Sequence, residues 1–166
     1  MIRLIVFAFL ATLCIRAGAQ PPDPREYISS VLYIARVQSA KHGIPVAIIL
    51  SQAIIESGSG SSRLARSANN HFGIKCGAGW SRKFVRKDDD RPGECFRKYE
   101  TVEESFEDHS LILTTRSRYS FLFGYGIADY KSWAWGLQRA GYATNPRYAQ
   151  TLIDCILRYG LDRYQY

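Results

Sequence analysis

Apolar residues recur at Ile28, Val31, Leu32, Ala35 and Val37, a spacing that predicts a helix from Arg25 to about Ala40, closed by His42-Gly43. Pro45 suits the first turn of a second helix, where its missing N–H costs nothing. That helix runs to Glu56 or Ser57 and is apolar nearly all round, so it belongs at the centre of a fold. Gly58 and Gly60 stop it. Residues 61–70 read as a short helix and a polar turn. From about 71 to 99 glycines and charges cluster, and alternating pieces such as Lys83-Phe84-Val85-Arg86 predict a small β-hairpin lobe.

Helical spacing returns at Thr101-Val102-Glu103-Glu104, which has the form of a capping box, and continues through Phe106, Leu111 and Leu113. Arg118 to Phe123 predicts a short helix. Asp129 can cap the next, which carries Trp133 and Leu137 and stops at Gly141. Asn145-Pro146 reads as a cap followed by proline at the first helical position. The last helix carries Tyr148, Leu152, Ile156 and Tyr159 and ends at Gly160. The expected fold is α+β and predominantly helical, one domain over residues 27–166, with the β lobe inserted after the central helix.

The first residues carry a different pattern. Met1-Ile2-Arg3 is a basic start, Leu4 to Ile15 an apolar run too short to span a bilayer comfortably, and Ala17-Gly18-Ala19 a small-x-small cleavage form. Residues 1–19 are therefore expected to be a cleaved secretory signal, with 20–26, rich in proline, as a stiff lead-in. No later segment is long and apolar enough to cross a membrane.

The formal net charge is +7, and loss of Arg3 and Arg16 with the signal leaves the chain basic. A basic exported protein favours anionic partners: wall polymer, lipid head groups or nucleic acid. The basic residues are scattered rather than striped, which speaks against nucleic acid. Cys14 leaves with the signal. Cys76 and Cys95 flank one loop-rich segment and are the expected disulfide in an oxidising compartment. Cys155 falls on the apolar face of the last helix and reads as a buried free thiol. Zinc is the alternative use of these thiols, but no CxxC or HxxxH spacing supports it.

Glu56 is the first candidate for chemistry. It ends an apolar helix, at the negative end of the helix dipole and against Ile54 and Ile55; both effects disfavour the charged carboxylate. A carboxyl kept protonated near neutral pH is what a glycosidase needs to protonate a leaving oxygen. The alternative is a surface Glu at a fraying helix end. In the run Asp88-Asp89-Asp90 at most two side chains share a strand face, and one could point across a cleft toward Glu56; the alternative is a solvated hairpin tip. Phe72, Trp80, Tyr119, Tyr125, Tyr142 and Tyr148 could supply flat surfaces for sugars or could be core. His42, His71 and His109 lack ligand spacing and read as structural.

Taken together, "SQAIIESGSGSS", "NNHFGIKC", Trp80, "FRKYET" with "SFEDHS", "RY" at 118–119 and "WAWGLQRAGYATNPRYAQTLI" resemble, in order, the glucosaminidase family of bacterial peptidoglycan hydrolases, glycoside hydrolase family 73. The resemblance covers roughly residues 27–164. It implies a lysozyme-like α+β fold with a substrate groove between a helical lobe and the β lobe. It implies cleavage of the β-1,4 bond between N-acetylglucosamine and N-acetylmuramic acid, with Glu56 as acid and Tyr142 as its aromatic partner in the groove. The implied second carboxylate falls nearest Asp89, with Asp88, Asp90 and Glu94 as alternatives, or with the substrate's own N-acetyl group in its place. Asn70, Phe72, Gly73, Trp80, Tyr119, Thr144, Asn145 and Tyr148 are the implied sugar-binding residues. "ESGSG" departs from the family, where an aromatic often stands between the glycines. The expectation is a monomer acting on glycan strands without metal or organic cofactor, in the periplasm or secreted. A lytic transglycosylase or muramidase on the same fold, and a non-catalytic wall-binding protein, are the rivals.

Overall fold

The computed structural model describes residues 23–89 and 91–165, so the expected signal at 1–19, Cys14 and Asp90 lie outside the described residues. Helix α1 spans Pro24–His42, capped by Asp23, whose side chain accepts from the Arg25 N–H at 2.9 Å. Helix α2, Val46–Ser57, is the central element. Every residue from Val46 to Ile54 is buried, because α1, α5 (Tyr130–Arg139), α6 (Tyr148–Tyr159) and a C-terminal 3-10 helix, Leu161–Gln165, surround it. An all-apolar helix of this kind is stable only when each of its faces is covered.

Gly58, Ser59 and Gly60 all have positive φ. Gly58 is the left-handed C-cap, and the N–H groups of Gly58 and Ser59 both reach the Ile54 carbonyl. A Cβ on Gly60 would stand 2.9 Å from the Tyr27 ring, so the chain can turn there only as glycine. The departure from the family noted above thus places a small serine in a tight left-handed bend directly behind Glu56.

Helix α3, Arg63–Ala68, leads into the β lobe, an antiparallel pair of β1 (Phe84–Lys87) and β2 (Glu94–Arg97) with Val85 opposite Phe96. The Asp88 carboxylate accepts from the Gly93 N–H at 2.7 Å and closes the turn. Cys76 and Cys95 form a disulfide that ties the loop before the hairpin to β2. Helix α4, Val102–Thr115, starts at Thr101, whose hydroxyl accepts from the Glu104 N–H. The lobe is locked to α4 by Arg97, which makes a two-pronged ion pair with Asp108 at 2.9 and 2.7 Å, and by the Tyr99 hydroxyl on the same carboxylate.

The predicted 118–123 helix is a 3-10 helix, Ser117–Gly124. Two expectations need correction. Helix α6 begins at Tyr148, not after Asn145: the Asn145 side chain accepts from the Arg147 N–H in a preceding turn, while Gln138 of α5 accepts from the Ala149 N–H. The first turn is thus capped by a neighbouring helix rather than by its own leader. Cys155 is free, as expected, but half-buried rather than enclosed. Among the described residues no helix is long and apolar enough to cross a membrane.

The disulfide spans 19 residues. Closing a loop of that length is worth about 3 kcal/mol through the entropy of the unfolded chain. The double variant C76S/C95S should melt measurably lower than the oxidised protein, and adding reductant should lower the wild type to the same point. Equal melting temperatures for all three would refute the contribution.

Candidate active site

Glu56 sits in the last turn of α2, half-buried at the edge of a cavity of about 180 Å3. Arg63, Phe72, Gly73, Lys87 and Asp89 line the same cavity, so the end of α2, the start of α3 and the hairpin converge on one space. Burial pushes the Glu56 carboxyl above its ordinary value; the hydroxyl of Tyr148, which donates to Oε1 at 3.0 Å, pulls the other way without cancelling it. No other hydrogen bond reaches Glu56 among the described residues.

Tyr148 is buried in the first turn of α6, and its hydroxyl also accepts from Nε2 of Gln52 at 3.0 Å. Tyr142 stacks on Tyr148 with ring centroids 5.5 Å apart, and Tyr119 tilts against Tyr142 at 6.2 Å. Burial raises the hydroxyl pKa of Tyr142 and Tyr148, and the Glu56 charge adds to this, so both stay neutral donors. Phe72 stacks on His109 at 4.0 Å and closes the floor behind the acid.

Among the described acidic alternatives on the lobe, only Asp89 shares the cavity with Glu56. It ion-pairs with Lys75 at 3.2 Å and Lys87 at 3.7 Å. Asp88 is committed to the hairpin turn, and Glu94 to Lys75 at 3.0 Å. Asp90 lies outside the described residues.

Several other expected sugar-binding residues have definite places in the fold. Asn70 is buried, and its side chain bonds Ile74 N–H, Ile74 carbonyl and Arg97 carbonyl at 2.9–3.0 Å, which staples the loop to β2. Trp80 lies under the Arg97 guanidinium at 4.5 Å and lines a separate hollow with Asp108 and Leu111, away from Glu56. Thr144 and Asn145 are exposed on the loop before α6. Gln52 and Arg63 were not singled out from the sequence. For Gln52 a signal existed: it stands four residues before Glu56, on the same helical face.

Residues 33–161 match the family described as mannosyl-glycoprotein endo-beta-N-acetylglucosaminidase. The chain belongs to this glucosaminidase family. It is 33% identical over 153 residues to the exo-glucosaminidase LytG of Bacillus subtilis, covering 86% of this chain and 54% of the relative. It is 32% identical over 146 residues to the peptidoglycan hydrolase FlgJ of Salmonella typhimurium, covering 81% and 46%. The chain thus spans about half the length of the curated relatives it matches. The solved glycoside hydrolase domain of Salmonella typhimurium FlgJ superposes with a TM-score of 0.71 at 30% identity, over 84% of this chain and 89% of that one. The lysozyme-like α+β fold expected of a glucosaminidase is therefore the fold present.

Proposed function

We propose that this glucosaminidase-family protein is an exported peptidoglycan hydrolase that cuts the β-1,4 bond between N-acetylglucosamine and N-acetylmuramic acid. The observation that carries the proposal is the setting of Glu56: a carboxyl whose pKa is raised by burial, with one oxygen bound by Tyr148, at a cavity that also receives Asp89. Glu56 gives its proton to the glycosidic oxygen as the C–O bond breaks. Positive charge then builds at the sugar carbon, and Asp89 or the substrate's N-acetyl oxygen faces that charge. Asp89 accepts the proton of the attacking water in the first case. Tyr142, stacked on the Tyr148 ring that bonds the acid, offers a flat face to the sugar. The chemistry needs no metal or organic cofactor. The basic charge suits an anionic wall polymer, and the expected signal at 1–19, with wall-acting relatives, supports export to the periplasm or beyond.

Mass spectrometry of fragments released from purified peptidoglycan tests this. New reducing-end N-acetylglucosamine is the expected product, and fragment length separates internal from terminal cutting. Anhydro-muramic ends would overturn it in favour of a transglycosylase, and absence of release in favour of a binding protein.

A further inference from the structure

The hydrogen bond on Glu56 is the last of a series of three. Nε2 of His109 lies 3.1 Å from Oε1 of Gln52, Nε2 of Gln52 donates to the Tyr148 hydroxyl at 3.0 Å, and that hydroxyl donates to Oε1 of Glu56 at 3.0 Å. His109, Gln52 and Tyr148 are at most 3% exposed, so water does not compete for these bonds.

An amide has its donor and acceptor at opposite corners. Gln52 can turn Nε2 toward Tyr148 only if its Oε1 faces His109, and that requires a hydrogen on Nε2 of His109. The reversed series would need a bare Nε2 and a hydrogen on Nδ1. Nδ1 of His109 is buried and has no hydrogen-bond partner among the described residues. An orphaned buried N–H is rarer and costlier than an orphaned acceptor, which selects the Nε2–H tautomer. Burial lowers the His109 pKa to about 3, so the ring is neutral and the choice of tautomer is real.

On the reading of Glu56 as the acid, we propose that His109 and Gln52 are positioning residues that fix the direction of this series, so that Tyr148 always donates to Oε1 and the proton to be transferred is confined to Oε2 of Glu56. Without the His109 donor the Gln52 amide can reverse, its Oε1 then accepts from the Tyr148 hydroxyl, and the acid loses both its preferred oxygen and the donor that favours its charged form. Tyr142, Arg63, Lys87 and Asp89 also face Glu56 or its cavity, but only Tyr148 bonds it. A shifted Glu56 titration on cutting the series therefore reports on that bond.

Two measurements test this. Long-range proton–nitrogen NMR correlation on the wild type should show His109 as the Nε2–H tautomer; the Nδ1–H tautomer would overturn the proposal without any substitution. Carbon-detected NMR titration, with E56Q used to assign the Glu56 carboxyl, should show its midpoint rising in H109F, which keeps a ring against Phe72 but cannot donate to Gln52. The rise should be about one pH unit, the size of one hydrogen bond to a charged group. H109Q, which can still donate, should stay nearer the wild type. In H109F kcat should fall about tenfold at unchanged KM, since His109 acts on the acid only through Gln52 and Tyr148. An unmoved midpoint in H109F would overturn the proposal. Full activity of E56Q would instead overturn Glu56 as the acid and leave the NMR result standing, so the two failures are distinct.

Discussion

E56Q should lose peptidoglycan-hydrolysing turnover by about a hundredfold or more, the range in which a positioned general acid acts. The substitution removes the transferable proton and changes little else. Glutamine has nearly the volume of a protonated glutamic acid, and its Oε1 can still accept from the Tyr148 hydroxyl, which lies 3.0 Å from the present oxygen. Because burial favours the neutral carboxyl, a neutral amide suits the same surroundings. Melting temperature and circular dichroism should therefore match the wild type while turnover collapses. Near-normal turnover would remove Glu56 from the role of acid. The same burial sets the pH profile. A raised pKa keeps the acid protonated above the ordinary carboxylate range, so activity should persist there and fall as pH rises through the Glu56 midpoint. The alkaline limb measured on a soluble glycan fragment checks this.

Acid should destabilise the fold from the other side. Burial lowers His71 to about 4 and His109 to about 3, from an ordinary value of 6.5. Below 6.5 the unfolded chain takes up protons at both rings and the folded protein does not. Their contribution is thus present above 6.5 and is lost as pH falls toward the folded values. At about 1.4 kcal/mol per unit, His109 alone removes about 3 kcal/mol by pH 4, a large part of an ordinary domain's stability. His71, stacked on Tyr27 and hydrogen-bonded to its hydroxyl, adds to the loss. Glu56 acts oppositely: its raised pKa means that acid relieves a cost, which offsets part of the effect. Urea unfolding between pH 7 and pH 4 should show a steeply falling midpoint, and a flat one would refute the assignment. Activity is then bounded above by ionisation of Glu56 and below by protonation of two buried histidines.

Much of this was legible in the chain. Thr101 and Asp129 cap the helices they were expected to cap, and α2 is the buried centre its composition predicts. Where reading failed, a distant neighbour decided. Asn145 looked like the cap of α6, but Gln138 of α5 supplies that hydrogen bond. The letters did not show the partners of Asn70 and Trp80: the first staples a loop to β2 and the second lies under Arg97. Asp89 stands nearest the expected second carboxylate, with Asp88, Asp90 and Glu94 as alternatives; of the three described ones, the hairpin turn takes Asp88, Glu94 pairs with Lys75, and Asp89 shares the cavity with Glu56.

The sequence by itself determined the helices, their caps and the awkward station of Glu56, because these follow from interactions between residues a few positions apart. It also carried the family, since several short motifs in fixed order are specific as a set. The tertiary structure alone decided what Glu56 meets. Its hydrogen bond to Tyr148 joins residues 92 apart, Gln52 to Tyr148 spans 96, and His109 to Gln52 spans 57. No local pattern encodes such pairs: they exist only once α2, α4 and α6 are packed together, with water excluded from the space between them.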